Sequence, residues 1–139
     1  MRRIPLAVLA AALLLVPSAT ASAKLRFFSS PTKTIGCVYA SLDGDRSIRC
    51  DLENVDHPKP KPSSCDLEFG HAFALGTSGR ATRLCHGDTV LGHKARVLDY
   101  GDATRFGPFT CKVGRTRGMR CTSRTGHGFE LSRARQKLW

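Results

Sequence analysis

A hairpin with one cysteine on each arm is the feature that most constrains this fold. The segment "GCVYASLDGDRSIRC" contains Asp43-Gly44, which favours a type I′ hairpin turn because both central residues of that turn need positive φ. Folding about this dipeptide places Cys37 opposite Cys50 on a non-hydrogen-bonded pair, where Cα atoms approach to about 4.5 Å. That separation lies near the lower end of the disulfide range. The sequence therefore predicts a Cys37–Cys50 bridge across the hairpin.

The other four cysteines are assigned to two further disulfides. The segment "FTCKVGRTRGMRC" offers glycines for a turn, with Cys111 and Cys121 on opposite arms, so a second hairpin bridge is predicted there. Cys65 and Cys85 then pair by elimination. A zinc site is the competing interpretation, but none of the cysteine gaps has the paired C-x-x-C spacing that such sites use.

The first 23 residues predict export. A basic start at residues 1–3, an apolar run over 4–16 and the small-residue site Ala21-Ser22-Ala23 together form the pattern of a secretory signal peptide, cleaved after Ala23. The apolar run is shorter than the roughly 20 residues that a membrane span needs. We therefore expect residues 24–139 to form a single secreted domain, a monomer with no transmembrane segment. Exported chains are oxidised, which favours disulfides over metal ligation.

The rest of the chain predicts an all-β fold, a small disulfide-stapled barrel or sandwich of short antiparallel strands. Short β-prone runs are separated by Gly, Pro, Asp or Ser turns at spacings typical of such folds. The predicted strands are 35–42, 46–53, 71–75, 81–86, 94–99, 108–113, 118–123 and 127–132. Residues 132–139 are predicted to form one helical turn, with Ser132 as its cap.

Positive charge is concentrated in the last quarter of the chain. The whole sequence carries a net charge of +11, and residues 105–139 contain nine Lys or Arg against one acid, Glu130. Arginines on one hairpin would form a compact cationic end, which attracts polyanions in a salt-dependent manner. A solvated surface that keeps the protein soluble is the alternative. The candidate polyanion-binding residues are Arg115, Arg117, Arg120, Arg124, Arg133 and Arg135.

One histidine and one glutamate are candidates for acid–base catalysis. In "GHGFELSR", His127 and Glu130 could serve a small nuclease-like hydrolase, which needs both groups on one side of a site. Their odd separation places them on opposite faces of a strand. The glycines beside His127 indicate close backbone approach or unusual φ. We therefore interpret His127 as structural and predict no catalytic residue.

Two clusters of acidic or histidine residues are candidate metal sites. Asp43 and Asp45 have the spacing of calcium-loop ligands, but the bidentate glutamate that closes such a loop is absent. His86, Asp88 and His93 lie close in sequence, although nothing in their spacing makes them converge, and Asp88 fits a side-chain-to-backbone turn. No metal and no cofactor is predicted.

Several short motifs resemble one known pattern. They are Phe28-x-Ser30-Pro31, Ile35-Gly36-Cys37, Arg49-Cys50-Asp51, Cys85-His86-Gly87-Asp88-Thr89, Tyr100-Gly101, Phe109-Thr110-Cys111 and Gly126–Arg133. In this order they resemble a family of small secreted actinobacterial domains of unknown function, over nearly all of residues 24–139. Residues 32–34 depart from that pattern, which leaves the first turn's conformation open. The resemblance implies export, three disulfides and one domain, with the shared glycines, cysteines and Asp88 as scaffold, and it implies no enzymatic activity.

Three functions are compatible with the sequence. The first is a secreted, non-enzymatic domain that binds an anionic cell-envelope or extracellular polymer, or a cell-surface protein, through its C-terminal arginines. The second is a secreted hydrolase that uses His127 and Glu130. The third is a secreted inhibitor module, for which the stapled scaffold and the proline-lysine segment 57–64 are the hints.

Overall fold

Two β-sheets account for the regular structure in a computed structural model that describes residues 15–139. The first sheet has the strand order β5-β4-β3-β2-β1-β6, and all its pairings are antiparallel except β1 with β6. Its strands are β1 (Lys24–Ser29), β2 (Ile35–Leu42), β3 (Asp45–Leu52), β4 (Glu68–Gly76), β5 (Thr82–His86) and β6 (Arg96–Val97).

The second sheet is wholly antiparallel and follows chain order, β11-β10-β9-β8-β7. Its strands are β7 (Ala103–Phe106), β8 (Phe109–Gly114), β9 (Gly118–Ser123), β10 (Gly128–Leu131) and β11 (Gln136–Leu138). None of the residues 15–139 is helical, so the all-β prediction is confirmed. None of these residues belongs to a helix that is long and apolar enough to cross a membrane.

All three disulfides form as predicted. Asp43 and Gly44 have φ of 49° and 87°, the positive values that a type I′ turn requires, and β2 and β3 pair with Cys37 opposite Cys50. Cys111 lies opposite Cys121 in the β8–β9 hairpin, and both hairpin bridges have Cα atoms 4.1 Å apart. The third bridge, Cys65–Cys85, fastens the segment before β4 to β5.

One core lies between the two sheets, so the molecule is a sandwich rather than a closed barrel. Inward-facing side chains of both sheets form a single buried cluster, in which Phe28, Phe73, Phe109 and Phe129 are completely buried. Phe28 of β1 stacks on Phe106 of β7 with ring centroids 4.2 Å apart, which joins the sheets directly. Both hairpin disulfides belong to this cluster, so they stabilise the core as well as close their hairpins.

The prediction of a helical turn over residues 132–139 is wrong, because these residues form a hairpin with β10. Ser132 and Arg135 close the turn, since the Ser132 amide donates to the Arg135 carbonyl (2.8 Å) and the Ser132 hydroxyl accepts from the Arg135 amide (3.1 Å). The side chain that was expected to cap a helix therefore closes a turn. Two other strands, β1 and β7, were not predicted from the sequence.

The turns of the second sheet alternate between its two ends. Residues 115–117 and 132–135 lie at one end and residues 124–127 at the other, because successive strands are antiparallel. At the first end Gly118 has a φ of 74°, and a Cβ placed on it would collide with the carbonyl oxygen of Leu131. Glycine at this position therefore allows β9 to begin directly against the 132–135 turn.

This close approach can be tested with an alanine at Gly118. We expect Gly118→Ala to lower the free energy of unfolding by more than about 2 kcal/mol, because the left-handed conformation alone costs a residue with a Cβ about 1–2 kcal/mol and the clash adds to that. The matched control is Gly114→Ala, whose Cβ would meet no atom within 4 Å. Urea denaturation measures both variants. Equal stability of the two would contradict the packing described here.

Candidate anion-binding site

The outer face of the second sheet is cationic. Along β8 and β9 the inward residues are buried, whereas the outward residues, including Lys112 and Arg120, are exposed. Lys112 lies opposite Arg120, Arg120 opposite Glu130, and Glu130 opposite Lys137, so the four side chains form one row across the strands. Arg120 Nη1 lies 3.3 Å from Glu130 Oε2. The only acid of the row is therefore already paired with a cation.

Trp139 contacts two of the cations on this face. The backbone of Trp139 exchanges two hydrogen bonds of 3.0 Å with Gly128, and its indole Nε1 donates to the carbonyl oxygen of Gly126 (2.9 Å). A Cβ on Gly128 would lie 2.9 Å from the indole Cζ2, so only glycine leaves room for the ring. The Arg120 guanidinium carbon lies 4.6 Å and the Lys137 ammonium 5.7 Å from the ring centroid, distances at which cations are attracted to an aromatic face.

This role of Trp139 was not found from the sequence. The glycines around His127 were its one signal, since they indicated close backbone approach without showing what approaches. The approaching group, Trp139, directly follows β11, in the segment for which a helical turn was expected.

The six candidate arginines do not form one cationic end. Strand β9 separates Arg117 from Arg124 by seven residues, or about 20 Å at the rise of a β-strand. The hypothesis that Arg115 to Arg124 share one compact end is therefore corrected. The positions are Arg115 and Arg117 in the 115–117 turn, Arg133 and Arg135 in the neighbouring 132–135 turn, Arg120 on the outer face and Arg124 at the opposite end.

A cleft of about 350 Å³ lies at the end that carries four of these arginines. It is bounded by the β1–β2 loop, the end of β3, Tyr100 and the two arginine-bearing turns. The guanidinium carbon of Arg115 lies 4.4 Å from the centroid of the Tyr100 ring. Arg133 Nε donates to Asp56 Oδ1 at 2.6 Å. Two guanidinium groups in the cleft wall are thus each oriented by a neighbour.

The structure pairs Glu130 with Arg120 and not with His127. His127 precedes β10 in the turn that begins at Ser123, where its carbonyl oxygen accepts a hydrogen bond from the Ser123 amide (2.8 Å). Glu130 lies between the buried Phe129 and Leu131, on the outer face of the sheet. The arrangement offers no support for an acid–base pair of these two residues.

Among residues 15–139 no group of three or more His, Cys, Asp or Glu side chains is placed to hold a metal ion. Two of the candidate ligands, His86 and Asp88, contact each other instead. The imidazole Nδ1 of His86 lies 2.6 Å from the backbone carbonyl oxygen of Asp88. Asp43 and Asp45 flank the Gly44 turn.

A buried aspartate on the first sheet explains two of the sequence motifs. Asp51 is 1% exposed and accepts hydrogen bonds from Arg49 (2.9 and 3.0 Å), the Thr89 hydroxyl (3.0 Å) and the Val90 amide (3.0 Å). Arg49 also donates to the side chain and to the carbonyl oxygen of Asp88. The Arg-Cys-Asp and Gly-Asp-Thr motifs therefore fasten the segment after β5 onto the sheet. Asp88 is scaffold, as the resemblance implied.

This network shifts two pKa values. Burial lowers the pKa of Arg49, but its hydrogen bonds to Asp51 and Asp88 outweigh that effect and raise the pKa above its usual value. The same contact lowers the pKa of Asp88, first through the hydrogen bond from Arg49 and then through its positive charge. Arg49 is thus committed to internal partners.

Replacing the buried carboxylate should destabilise the fold. We expect Asp51→Asn to lower the free energy of unfolding by about 3 kcal/mol, because it removes the buried charge partner of Arg49 and leaves the exposed Asp88 as its only carboxylate partner. Asp45→Asn, in the exposed hairpin turn, is the matched control and should change little. Urea denaturation midpoints measure the difference. A variant as stable as its control would show that Asp51 does not anchor the segment after β5.

Acid should weaken the Arg49–Asp88 contact. The pKa of Asp88 is lower in the folded state than in the unfolded chain, where it is about 3.9. Its contribution to stability is therefore present above pH 4 and is lost as the pH falls through the folded-state pKa. Between pH 5 and pH 2 the melting temperature of the wild type should fall further than that of Asp88→Asn. Parallel curves for the two proteins would contradict this linkage.

Comparison with known proteins gives one result for nearly the whole chain. No curated protein and no solved structure matches it. A family model described as "Family of unknown function (DUF6636)" matches residues 7–139, which include both sheets, all three disulfides and the arginine-lined cleft. The chain therefore belongs to DUF6636, a family of unknown function.

Proposed function

We propose that this protein is a secreted, non-enzymatic domain that binds an anionic polymer of the cell envelope or the extracellular space. The observation that carries this proposal is the gathering of cations on one sheet. Four arginines (Arg115, Arg117, Arg133 and Arg135) share one end of the second sheet. The adjoining outer face adds Lys112 and Lys137, whereas Arg120 in the same row is paired with Glu130. At the arginine end, Arg133 is paired with Asp56. Arg124 is not part of this surface.

The arrangement favours a polymer over a small ion. Neighbouring strands are about 4.8 Å apart, so cations on β8, β9 and β11 present charges at repeated intervals across the sheet. A chain with repeated negative charges can contact several of them at once and release counterions as it binds. The attraction is long-ranged and steers association, and salt weakens it.

Export is supported by two features. Three disulfides within one small domain are typical of oxidising compartments. Strand β1 begins at Lys24, directly after the predicted cleavage site, whereas residues 15–23 are exposed and lack regular structure. Residues 1–14 of the predicted signal peptide lie outside the described residues.

The test is binding to heparin, duplex DNA and a poly(glycerol phosphate) teichoic acid across a salt series. Two variants with the same net charge are compared with the wild type. In the first, Arg115, Arg117, Arg133 and Arg135 become serine. In the control, four exposed arginines outside the proposed surface become serine: Arg46, Arg80, Arg96 and Arg124.

We expect the first variant to bind at least tenfold more weakly than the control to any polymer that binds the wild type. For duplex DNA, loss of four contacts should reduce the magnitude of the slope of log K against log salt concentration by about 3.6. Circular dichroism and melting temperature verify that both variants fold. Equal losses in the two variants would show that net charge alone, and not this surface, governs binding. Absence of binding to all three polymers would also overturn the proposal.

A further inference from the structure

We propose that the cleft beside the arginine turns is a recognition site for one carboxylated sugar unit, a uronic-acid residue. This inference rests on the proposed function, because such a unit would belong to the anionic polymer. The cleft differs from the outer face in shape and in chemical composition. It is concave and combines guanidinium groups, hydroxyls and apolar side chains, whereas the outer face is an open row of charges.

The two arginines supply recognition of a carboxylate. Guanidinium groups bind carboxylates through paired hydrogen bonds in one plane. Arg115 is held against the Tyr100 ring at 4.4 Å, and Arg133 through its Nε by Asp56, so both side chains are ordered in advance of any ligand. None of the residues that line the cleft, all within the described part of the chain, is acidic. An anion entering the cleft therefore meets Arg115 without a competing carboxylate in the wall, whereas at Arg133 it competes with Asp56, which accepts from Nε.

A chain of hydroxyl groups supplies recognition of a polyol. The Ser30 and Thr32 hydroxyls are 3.2 Å apart, and the Thr32 and Thr34 hydroxyls are 2.8 Å apart. The loop that carries them turns at Lys33, where φ is 61°. Asn54 and Thr116 add an amide and a further hydroxyl to the wall. The Ser30 hydroxyl is buried and accepts from the Ile35 amide (3.2 Å), so it positions Thr32. The hydroxyls of Thr32, Thr34 and Thr116 can each donate and accept, which suits the adjacent hydroxyl groups of a sugar.

The apolar part of the cleft wall favours a sugar ring over a linear polyol phosphate as the ligand. Ile35, Leu52 and Val113 line the cleft together with the Tyr100 ring. Ile35, Leu52 and Val113 are at most 7% exposed, so the half-buried Tyr100 ring is the apolar group that can cover the C–H face of a pyranose, whereas a glycerol phosphate unit has no such face. The volume of about 350 Å³ lies at the lower end of the range for small-molecule sites. The cleft therefore fits one or a few sugar units rather than a long segment of chain.

The experiment is titration of the oxidised protein with trigalacturonate, with a neutral glucose trisaccharide and with a glycerol phosphate trimer. Amide chemical shifts and calorimetry report binding. We expect trigalacturonate to bind at least tenfold more tightly than either other probe and to shift the amides of residues 30–34 and 115–116. Glycerol phosphate binding as tightly as trigalacturonate, or the neutral trimer doing so, would overturn the assignment.

Uncharged variants separate this proposal from the preceding one. Thr34→Val with Thr116→Val removes two cleft hydroxyls and leaves the net charge unchanged. Thr110→Val with Thr122→Val makes the same change on the outer face of the second sheet. The cleft variant should lose at least tenfold in trigalacturonate affinity and keep its polyanion affinity, and the control should keep both.

Unchanged trigalacturonate affinity in the cleft variant would refute the cleft as the site. Absence of trigalacturonate binding alongside arginine-dependent polyanion binding would refute the cleft proposal alone. Polyanion binding that does not depend on the four arginines would refute the proposed function itself.

Discussion

The alternation of side chains along the second sheet is the constraint on which both the core and the charged surface depend. Every second residue of β8 and β9 points inward, and Phe109, Cys111 and Met119 are completely buried. The residues between them must face water, and here those positions include Lys112 and Arg120. The same pleat that completes the core therefore exposes the cations, because each strand has only two faces.

The buried charge of the first sheet and the surface charge of the second sheet have different roles. In the first sheet the buried carboxylate of Asp51 is bonded to Arg49 and to donors from the segment after β5, so this ion pair is committed to folding. The second sheet has one acid on its cationic row, Glu130, which is paired with Arg120. A charge that is satisfied internally stabilises the fold, whereas surplus charge at the surface is available to a partner. This contrast is why the proposed function is assigned to the second sheet.

The arginine end differs from the outer face because the first sheet also contributes to it. The β1–β2 loop and the end of β3 meet the two turns of the second sheet there, and together they form the cleft. Close approach at Gly118 brings the turn bearing Arg133 against the start of β9. A flat face can attract a polymer through charge, but a concave wall of mixed chemistry can distinguish one unit of the polymer from another.

The two disulfide-bridged hairpins were predictable from the sequence because each turn depends on residues that are neighbours in the chain. The turn at Asp43-Gly44 needs only its own residues to set the register, so the Cys37–Cys50 bridge followed from counting outward. The all-β class and the Cys111–Cys121 bridge were predictable for similar reasons, and the Cys65–Cys85 bridge then followed by elimination.

Only the tertiary structure decided which distant residues meet. Arg49 and Asp88 are 39 residues apart in sequence, and no periodicity indicates that they bond. Trp139 lies over Gly128 because β11 pairs with β10, and the same pairing overrode the expected helical turn. The arginines divide between two ends because β9 lies between Arg117 and Arg124. The pairing of β10 with β9 and with β11 decides that the 115–117 and 132–135 turns are neighbours. The sequence by itself thus determined the local elements and the supply of charge, whereas long-range packing determined where that charge is concentrated.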